Sequence, residues 1–267
     1  MLQIDSMPKT ASKRRNTETD RSSQQAKHSE GCLICGKELV YTERSQLQTC
    51  IYCAKENDSA IHCPGGHFVC DECHRADAIT MIETITENST ETNPIQLARE
   101  IMATPAFSMH GPEHHVMVPV VLLRTLGNLG VGITPSQIDD AILRAKQLPG
   151  GICGSWGACG AALGAGIGFS VTRKLTSLSK EGWGETNGDT GEILKRLGVY
   201  GGPRCCKRAT YSVLSTAIEL LERDAIVQFP KDAHQAPVCK DFWRNKQCIK
   251  NECPYYPSVT GTSCPKY

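Results

Sequence analysis

Closely spaced pairs of cysteine and histidine near the start of the chain have the residue types that bind a metal ion. The chain holds 15 cysteines among 267 residues. A pair separated by two or three residues makes a tight turn that can direct both side chains at one ion. The eight residues are Cys32, Cys35, Cys50, Cys53, Cys63, His67, Cys70 and Cys73. Because a structural zinc site takes such ligands in a tetrahedron, this set predicts two zinc ions.

The spacing of these pairs is typical of zinc-ribbon modules, but it leaves the grouping of the ligands open. There are 14 residues between Cys35 and Cys50, and 16 between Cys53 and Cys70, close to the zinc-ribbon window of about 15–20 residues. The pairs can combine in chain order or can interleave. An interleaved site would contain Cys50, Cys53, Cys70 and Cys73. Since residues 31–75 have almost no apolar core of their own, we expect the metal to supply their folding free energy.

A second set of cysteines lies in and just after a glycine-rich part of the chain. Fifteen of the 24 glycines fall within residues 150–202. The cysteines of this set are Cys153, Cys159, Cys205 and Cys206. Cys206 opens a predicted helix and is followed by Lys207 and Arg208, so the helix dipole and the cations should lower the pKa of its thiol. Such a thiol reacts or binds metal, whereas an ordinary buried cysteine serves as a small apolar residue.

Histidines cluster at the start of another predicted helix. Histidine is a common metal ligand and proton carrier near neutral pH. His114 and His115 are about 100° apart around a helix, so we expect one to face the core and the other to face solvent. The candidate catalytic residues are His110, Glu113, His114 and Cys206. No set of nucleophile, base and orienting group can be assigned, so the sequence leaves open whether the protein is an enzyme.

The C-terminal cysteines Cys239, Cys248 and Cys253 have two competing interpretations. Their spacing resembles a CCCH zinc finger, but the closing histidine is absent and Cys264 would have to replace it. Aromatic residues interleaved with lysine and arginine here also favour stacking on single-stranded nucleic acid. In the rival interpretation, this segment folds back and adds thiolates to the core cysteines, where they would hold an iron–sulfur cluster. The core ligands would then be Cys153, Cys159 and Cys206.

The elements that must position these residues are mainly helices. Residues 134–135, a threonine followed by proline, mark a helix start with apolar residues at helical spacing behind it. Arg208–Arg223 repeats that pattern. Gly160, Gly164 and Gly168 would share one helix face and permit close packing, which argues against a nucleotide-binding loop. We predict a mainly α fold: a helical core domain, preceded by a small zinc-ribbon or treble-clef-like module containing β structure, and followed by an irregular cysteine-rich tail.

Composition divides the chain into four parts. Residues 1–30 are polar and cannot bury enough apolar surface to become ordered, so we predict a disordered tail. The zinc module then occupies 31–75, the helical core domain occupies 76–230, and a basic, cysteine-rich segment that packs on the core occupies 231–267. The formal charge of +1 excludes binding to nucleic acid through a positive charge spread over the whole chain. No apolar run reaches the roughly 18 residues that span a membrane and no signal peptide is evident, so we expect a cytoplasmic protein.

Three segments resemble an uncharacterised prokaryotic family known as domain of unknown function 5714: Met109–Leu123, Gly150–Val171 and Gly201–Glu222, together with the cysteine pairs upstream. Members are often fused to S-adenosylmethionine-dependent methyltransferases, so the resemblance implies a methyltransferase partner. The stretch Cys159–Gly164 is also similar to the signature of the helical C-GCAxxG-C-C redox family, whose cysteines are redox-active or metal-bound. Histidines stand here near the place of that family's first cysteine, which favours a mixed cysteine and histidine metal site.

These observations predict a metal-binding protein that combines zinc with an iron–sulfur cluster or with redox-active thiols. We expect it to be a redox factor or an accessory in sulfur or methyl transfer, with a methyltransferase or a redox protein as its partner. One alternative is a zinc-dependent RNA- or DNA-binding protein, and another is a non-catalytic scaffold for a methyltransferase. The cofactor-binding candidates are Cys153, Cys159, Cys205, Cys206, Cys239, Cys248 and Cys253.

Overall fold

The structure is a computed structural model that describes residues 32, 34–35, 37–70, 73 and 76–257. Over these residues it is mainly α-helical with one small antiparallel sheet, as the sequence predicts. The strands are β1 (Val40–Thr49) and β2 (Glu56–His62). The helices are α1 (Ala78–Asn88), α2 (Pro94–Met102), α3 (Glu113–Asn128), α4 (Pro135–Ala145), α5 (Ile152–Ser155), α6 (Gly160–Thr172), α7 (Trp183–Gly198) and α8 (Cys206–Arg223).

Short 3-10 turns follow α8 at Lys231–His234, Phe242–Arg244 and Lys250–Glu252. The predicted disordered tail of residues 1–30 and the spare Cys264 lie outside the described residues. None of the helices just named is both long and apolar enough to cross a membrane.

The hairpin of β1 and β2 is built around one of the cysteine pairs. The two strands pair in antiparallel register, with one irregularity in the middle of the ladder. Cys50 and Cys53 lie in the connecting loop, which is closed by a 2.9 Å hydrogen bond from the Cys50 N–H to the Lys55 carbonyl. Cys63 follows directly after β2. The hairpin therefore places one ligand pair at each end of β2.

Helix α3 is the most buried helix of the fold, and the glycine face of α6 packs directly against it. Twelve of the 16 residues of α3 are buried. A β-carbon on Gly164 would lie 2.6 Å from the carbonyl oxygen of His115, and one on Gly168 would lie 3.5 Å from the Cα of Pro119. The predicted close packing through this glycine face is confirmed. Because these glycines lie inside a helix, they form no nucleotide-binding loop after a strand.

The starts of α4 and α8 follow the capping signals of the sequence. The Thr134 hydroxyl accepts a hydrogen bond from the Gln137 N–H, and the Gln137 side chain accepts one from the Thr134 N–H at 3.0 Å. Helix α8 begins at Cys206, as predicted. Cys205 is its N-cap, and the Cys205 sulfur accepts a hydrogen bond from the Arg208 N–H at 3.5 Å. The capped starts fix where these cysteines lie relative to the helices.

The C-terminal segment is irregular, as predicted, and it packs against α2 and α8. The Tyr255 hydroxyl lies 3.1 Å from the Ser212 Oγ of α8, and its ring meets that of Tyr211 edge-on at 5.3 Å. The Asn93 side chain, which caps α2, donates a hydrogen bond to Asp232 at 2.9 Å. The segment thus folds back onto the helices, and its cysteines have fixed positions next to the start of α8.

Candidate metal centres and a cysteine cleft

The N-terminal cysteine and histidine pairs come together as two groups of four. The first group contains Cys32, Cys35, Cys63 and His67, and the second contains Cys50, Cys53, Cys70 and Cys73; within each group the ligand atoms all lie within 4.8 Å of one another. Zinc–sulfur bonds of about 2.3 Å give a tetrahedron with edges of about 3.8 Å. The Cys35 and Cys63 sulfurs are 3.5 Å apart, and those of Cys53 and Cys70 are 3.7 Å apart. The pairs therefore interleave, a choice that their spacing left open.

Backbone amides support the thiolate form in both groups. The Gly65 N–H donates to the Cys63 sulfur at 3.2 Å, and the Cys70 N–H donates to the Cys50 sulfur at 3.4 Å. Although burial opposes it, the Gly65 amide and the neighbouring His67 lower the pKa of Cys63. Burial and the neighbouring thiols raise the pKa of Cys73. Both groups can hold a metal ion, and closed sets of sulfur and imidazole donors with no open position suit structural zinc.

The second group is part of the main apolar core. Cys50, Cys70 and Cys73 are buried and belong to the same apolar cluster as Met81 and Ile82 of α1. The sequence suggested a module with almost no apolar core of its own. The structure shows that one of its metal groups packs into the apolar core formed by the helices. In the first group, by contrast, Cys35 is exposed. We therefore expect the two metal groups to contribute differently to the stability of the helices.

A cleft of about 760 Å³ collects the cysteines of the glycine-rich set together with the histidines. The starts of α3, α6 and α8 and the short α5 contribute to its wall. Cys153 is exposed, whereas Cys159, Cys205 and Cys206 are half-buried, and all four are free thiols. The structure thus brings residues that are far apart in the sequence to one cleft, where Cys153 is the exposed thiol.

Both His114 and His115 are buried, so the expectation that one of them faces solvent is wrong. Gly160 on α6 has no side chain, and the His115 ring occupies the space that one would need. The His114 Nδ1 lies 3.0 Å from the Gly111 carbonyl, and the His115 Nδ1 lies 3.2 Å from the Leu148 carbonyl. Because a carbonyl can only accept a hydrogen bond, Nδ1 carries the proton in each ring and Nε2 keeps its lone pair.

Burial keeps the histidines of the cleft neutral. It lowers the pKa of His110 and His115 and holds the pKa of His114 well below its ordinary value. The buried His114 Nε2 and His110 Nδ1 have no hydrogen-bond partner among the described residues. Neutral rings with free lone pairs can accept protons or bind a metal. His115 was not among the sequence candidates, because a helical wheel cannot reveal that a glycine on another helix makes room for it.

The expectation of a lowered pKa at Cys206 is wrong. Burial raises the pKa of this thiol to about 11, against the opposing effect of the Gly111 backbone amide. The two neighbouring cations point elsewhere. Lys207 is fully buried with its ammonium 4.8 Å from the centre of the Phe107 ring, and Arg208 donates to backbone carbonyls of the preceding loop at 2.8 and 2.9 Å. Loss of hydration therefore outweighs the helix dipole at this thiol.

The remaining candidates lie apart from the cleft. Glu113 is absent from its wall, and its carboxylate accepts a hydrogen bond from the Ser108 N–H at 3.2 Å. The sequence joined the C-terminal cysteines to Cys153, Cys159 and Cys206, but the structure groups them differently. The C-terminal cysteines line a second, smaller cavity, and Cys205 is the one cysteine of the glycine-rich set that lines it with them. The residues around this second cavity include Cys205, Cys239, Cys248 and Cys253. Cys205 lies on both walls.

The fold and these sites define a mainly helical protein with cysteine and histidine groups able to bind metal. The chain belongs to the family of unknown function DUF5714, whose model matches residues 82–256. The matched region contains the whole cysteine cleft and the second cavity, and it begins after the two N-terminal metal groups. No curated protein and no solved structure matches the chain.

Proposed function

We propose that the protein is a zinc-containing thiol redox factor, an accessory to redox, sulfur- or methyl-transfer chemistry, with the cysteine cleft as its reactive centre. The observation that carries this proposal is the order of free cysteines across the cleft, from the exposed Cys153 to the half-buried Cys159 and Cys206. An accessible thiol backed by further thiols is what thiol–disulfide exchange requires. The two N-terminal groups would hold structural zinc and stabilise the fold.

Cys153 is the thiol that a disulfide-containing substrate would meet first. Its thiolate attacks one sulfur of the substrate, forming a mixed disulfide and releasing the other sulfur as a thiolate. Cys159 then attacks the Cys153 sulfur, which closes an internal disulfide and releases the second substrate thiolate. The substrate gains the two electrons that the cysteine pair loses, and the released thiolates take up the protons given by the two cysteines.

His115 is placed to help this second step. Burial raises the pKa of Cys159, so Cys159 must lose a proton before it can attack. The Nε2 of the neutral His115 lies against Gly160, the residue that follows Cys159. Its lone pair can accept the proton. Cys206 lies close enough to Cys159 for a charge on Cys159 to raise the pKa of Cys206. We propose that the Cys206 thiolate then attacks the Cys159 sulfur of the internal disulfide and releases Cys153 as a thiolate.

The partner we propose is a methyltransferase-associated or redox protein that presents a small disulfide or sulfur-bearing group. The wall of the cleft is rich in glycine, including Gly150, Gly151, Gly154, Gly160 and Gly201. Glycine lets a ligand approach the backbone closely. This lining supports a small ligand rather than a folded protein surface.

Mapping disulfides by mass spectrometry tests this function. Reduced, zinc-loaded protein is mixed anaerobically with glutathione disulfide, and we expect a Cys153–Cys159 disulfide. Cys159→Ser should instead accumulate glutathione on Cys153, because the thiol that we propose to resolve the mixed disulfide is absent. Cys153→Ser should react much more slowly. If these cysteines react no faster in the folded protein than in the unfolded chain, the cleft is not a thiol redox centre.

A further inference from the structure

The second cavity lies between the start of α8 and the C-terminal segment, and four cysteines line it. None of the four takes part in the thiol exchange proposed for the cleft. They are Cys205, Cys239, Cys248 and Cys253. All of them are free, so no disulfide explains their proximity. The segment that carries three of them has only single-turn 3-10 helices as regular structure. Four thiols from two distant parts of the chain therefore line one cavity.

Each sulfur of this quartet faces a backbone amide. The Asp241 N–H donates to Cys239 and the Lys250 N–H donates to Cys248, both at 3.4 Å. The Arg208 N–H donates to Cys205 at 3.5 Å, and the Tyr255 amide acts on Cys253 in the same way. The N-terminal zinc groups use the same device at Cys63 and Cys50. These amides favour the thiolate form that binds metal, but burial outweighs them at two of the four sulfurs: it raises the pKa of Cys239 to about 11 and also raises the pKa of Cys253.

The spacing of the quartet differs from that of the zinc groups. Among the described residues, the sets whose ligand atoms all lie within 4.8 Å of one another are the two N-terminal groups. The four sulfurs of the quartet are therefore not all within 4.8 Å of one another, whereas the ligands of a single tetrahedral zinc ion are about 3.8 Å apart. Thiolates that each bind a different iron of one cluster must be farther apart, because the irons and sulfides stand between them.

A buried cation beside the quartet supports an anionic centre there. Arg208 is 5% exposed, and its guanidinium donates only to the Gly201 and Pro203 carbonyls in the part of the chain that the structure describes. A buried charge without a counter-charge is costly. Arg208 lines the second cavity with the four cysteines, and Cys205 caps the positive end of the 18-residue helix α8. Thiolates bound to a cluster would supply the missing negative charge.

We propose that Cys205, Cys239, Cys248 and Cys253 hold an iron–sulfur cluster between the N-terminus of α8 and the C-terminal segment. This site goes beyond the thiol redox function proposed above, since it uses cysteines other than Cys153, Cys159 and Cys206. It also replaces the zinc-finger interpretation of the C-terminal spacing, because Cys205 takes the place of the absent fourth ligand. The cluster and the cleft would adjoin at Cys205 and Cys206.

Anaerobic purification of the full chain tests the cluster. We measure iron, acid-labile sulfide, zinc and the visible absorption spectrum of the wild type, Cys248→Ser and Cys253→Ser. We expect iron and sulfide in equal amounts with broad thiolate-to-iron absorption in the wild type, and loss of all three signals in both variants. Zinc and helix content should be unchanged in the variants, which shows that they still fold and that the N-terminal groups are intact.

Cys153→Ser is the matched control. It removes a thiol from the neighbouring cleft but not from the quartet, so it should keep the full iron and sulfide content while losing the disulfide exchange. The cluster and the redox function can therefore fail independently. A wild type that binds additional zinc and no iron overturns the cluster, as does iron that persists in both Cys248→Ser and Cys253→Ser.

Discussion

The His115 imidazole on α3 fills the space that a side chain at Gly160 on α6 would occupy. A β-carbon at Gly160 would lie 2.3 Å from the His115 Nε2. This contact joins the two helices at the cleft and places a neutral imidazole against Gly160, the residue that follows Cys159. It also explains how consecutive histidines on one helix can both be buried: the glycine face of the neighbouring helix accepts the second ring.

Gly160→Ala should disturb this contact. Because the added methyl group overlaps the ring, we expect a loss of about 1–3 kcal/mol in the free energy of unfolding and slower resolution of a mixed disulfide at Cys159. Denaturant unfolding and the exchange assay measure the two effects. Gly188→Ala is the control: it lies on exposed α7 with open space at the β-carbon, and should stabilise by about 0.5–1 kcal/mol. Equal behaviour of the two variants would contradict the proposed contact.

The two N-terminal metal groups should differ in their effect on the helices. Cys70→Ser removes a ligand that lies in the main core, so we expect loss of that zinc and about 3–5 kcal/mol of helix stability. Cys35→Ser removes an exposed ligand, and should lose the other zinc with less than about 1 kcal/mol of change. Zinc analysis combined with thermal melting followed by helical circular dichroism compares them. Equal melting temperatures of the two variants would contradict the predicted difference between the two metal groups.

Because Lys207 is buried, we expect the free energy of unfolding to vary with pH in the alkaline range. Burial lowers its pKa to about 8, while the unfolded chain keeps a value of about 10.4. Between those values the unfolded chain binds a proton that the folded chain has lost, so the free energy of unfolding rises with pH across this window. Below about pH 8, where Lys207 is charged in both states, its burial lowers the free energy of unfolding by about 3 kcal/mol.

Lys207→Met removes this titration while keeping an unbranched, apolar side chain. We expect the variant to be more stable than the wild type near neutral pH, and the difference to shrink as the pH approaches about 10.4. Guanidinium unfolding of both proteins at several pH values measures this difference. A stability difference that stays constant over the window would mean that the Lys207 amine keeps its ordinary pKa in the folded protein.

We expect the adjacent residues Cys205 and Cys206 to serve different sites, Cys205 the cluster and Cys206 the cleft. Cys205→Ser should lose the iron, while serine remains a good N-cap and preserves α8. Cys206→Ser should keep both iron and zinc but lose the exchange with Cys159. Metal analysis and disulfide mapping of the two variants decide this. Iron lost from Cys206→Ser and kept in Cys205→Ser would reverse the assignment of the two cysteines to the cluster and the cleft.

The sequence by itself determined the features that depend on a few neighbouring residues. Cysteine pairs predicted the N-terminal metal ligands, the threonine–proline cap predicted the start of α4, and glycines four residues apart predicted the packing face of α6. Each signal acts within one or two helical turns, where backbone geometry leaves few alternatives. The mainly helical fold follows from signals of this kind.

Only the tertiary structure decided how distant segments meet and how well each group is hydrated. Interleaving of the metal pairs depends on the hairpin that brings Cys63 back towards Cys32. The grouping of Cys205 with the C-terminal cysteines depends on how that segment packs on α8. The pKa of Cys206 is raised because loss of water acts on a thiol more strongly than the helix dipole, and hydration is set by residues that are far away in the sequence.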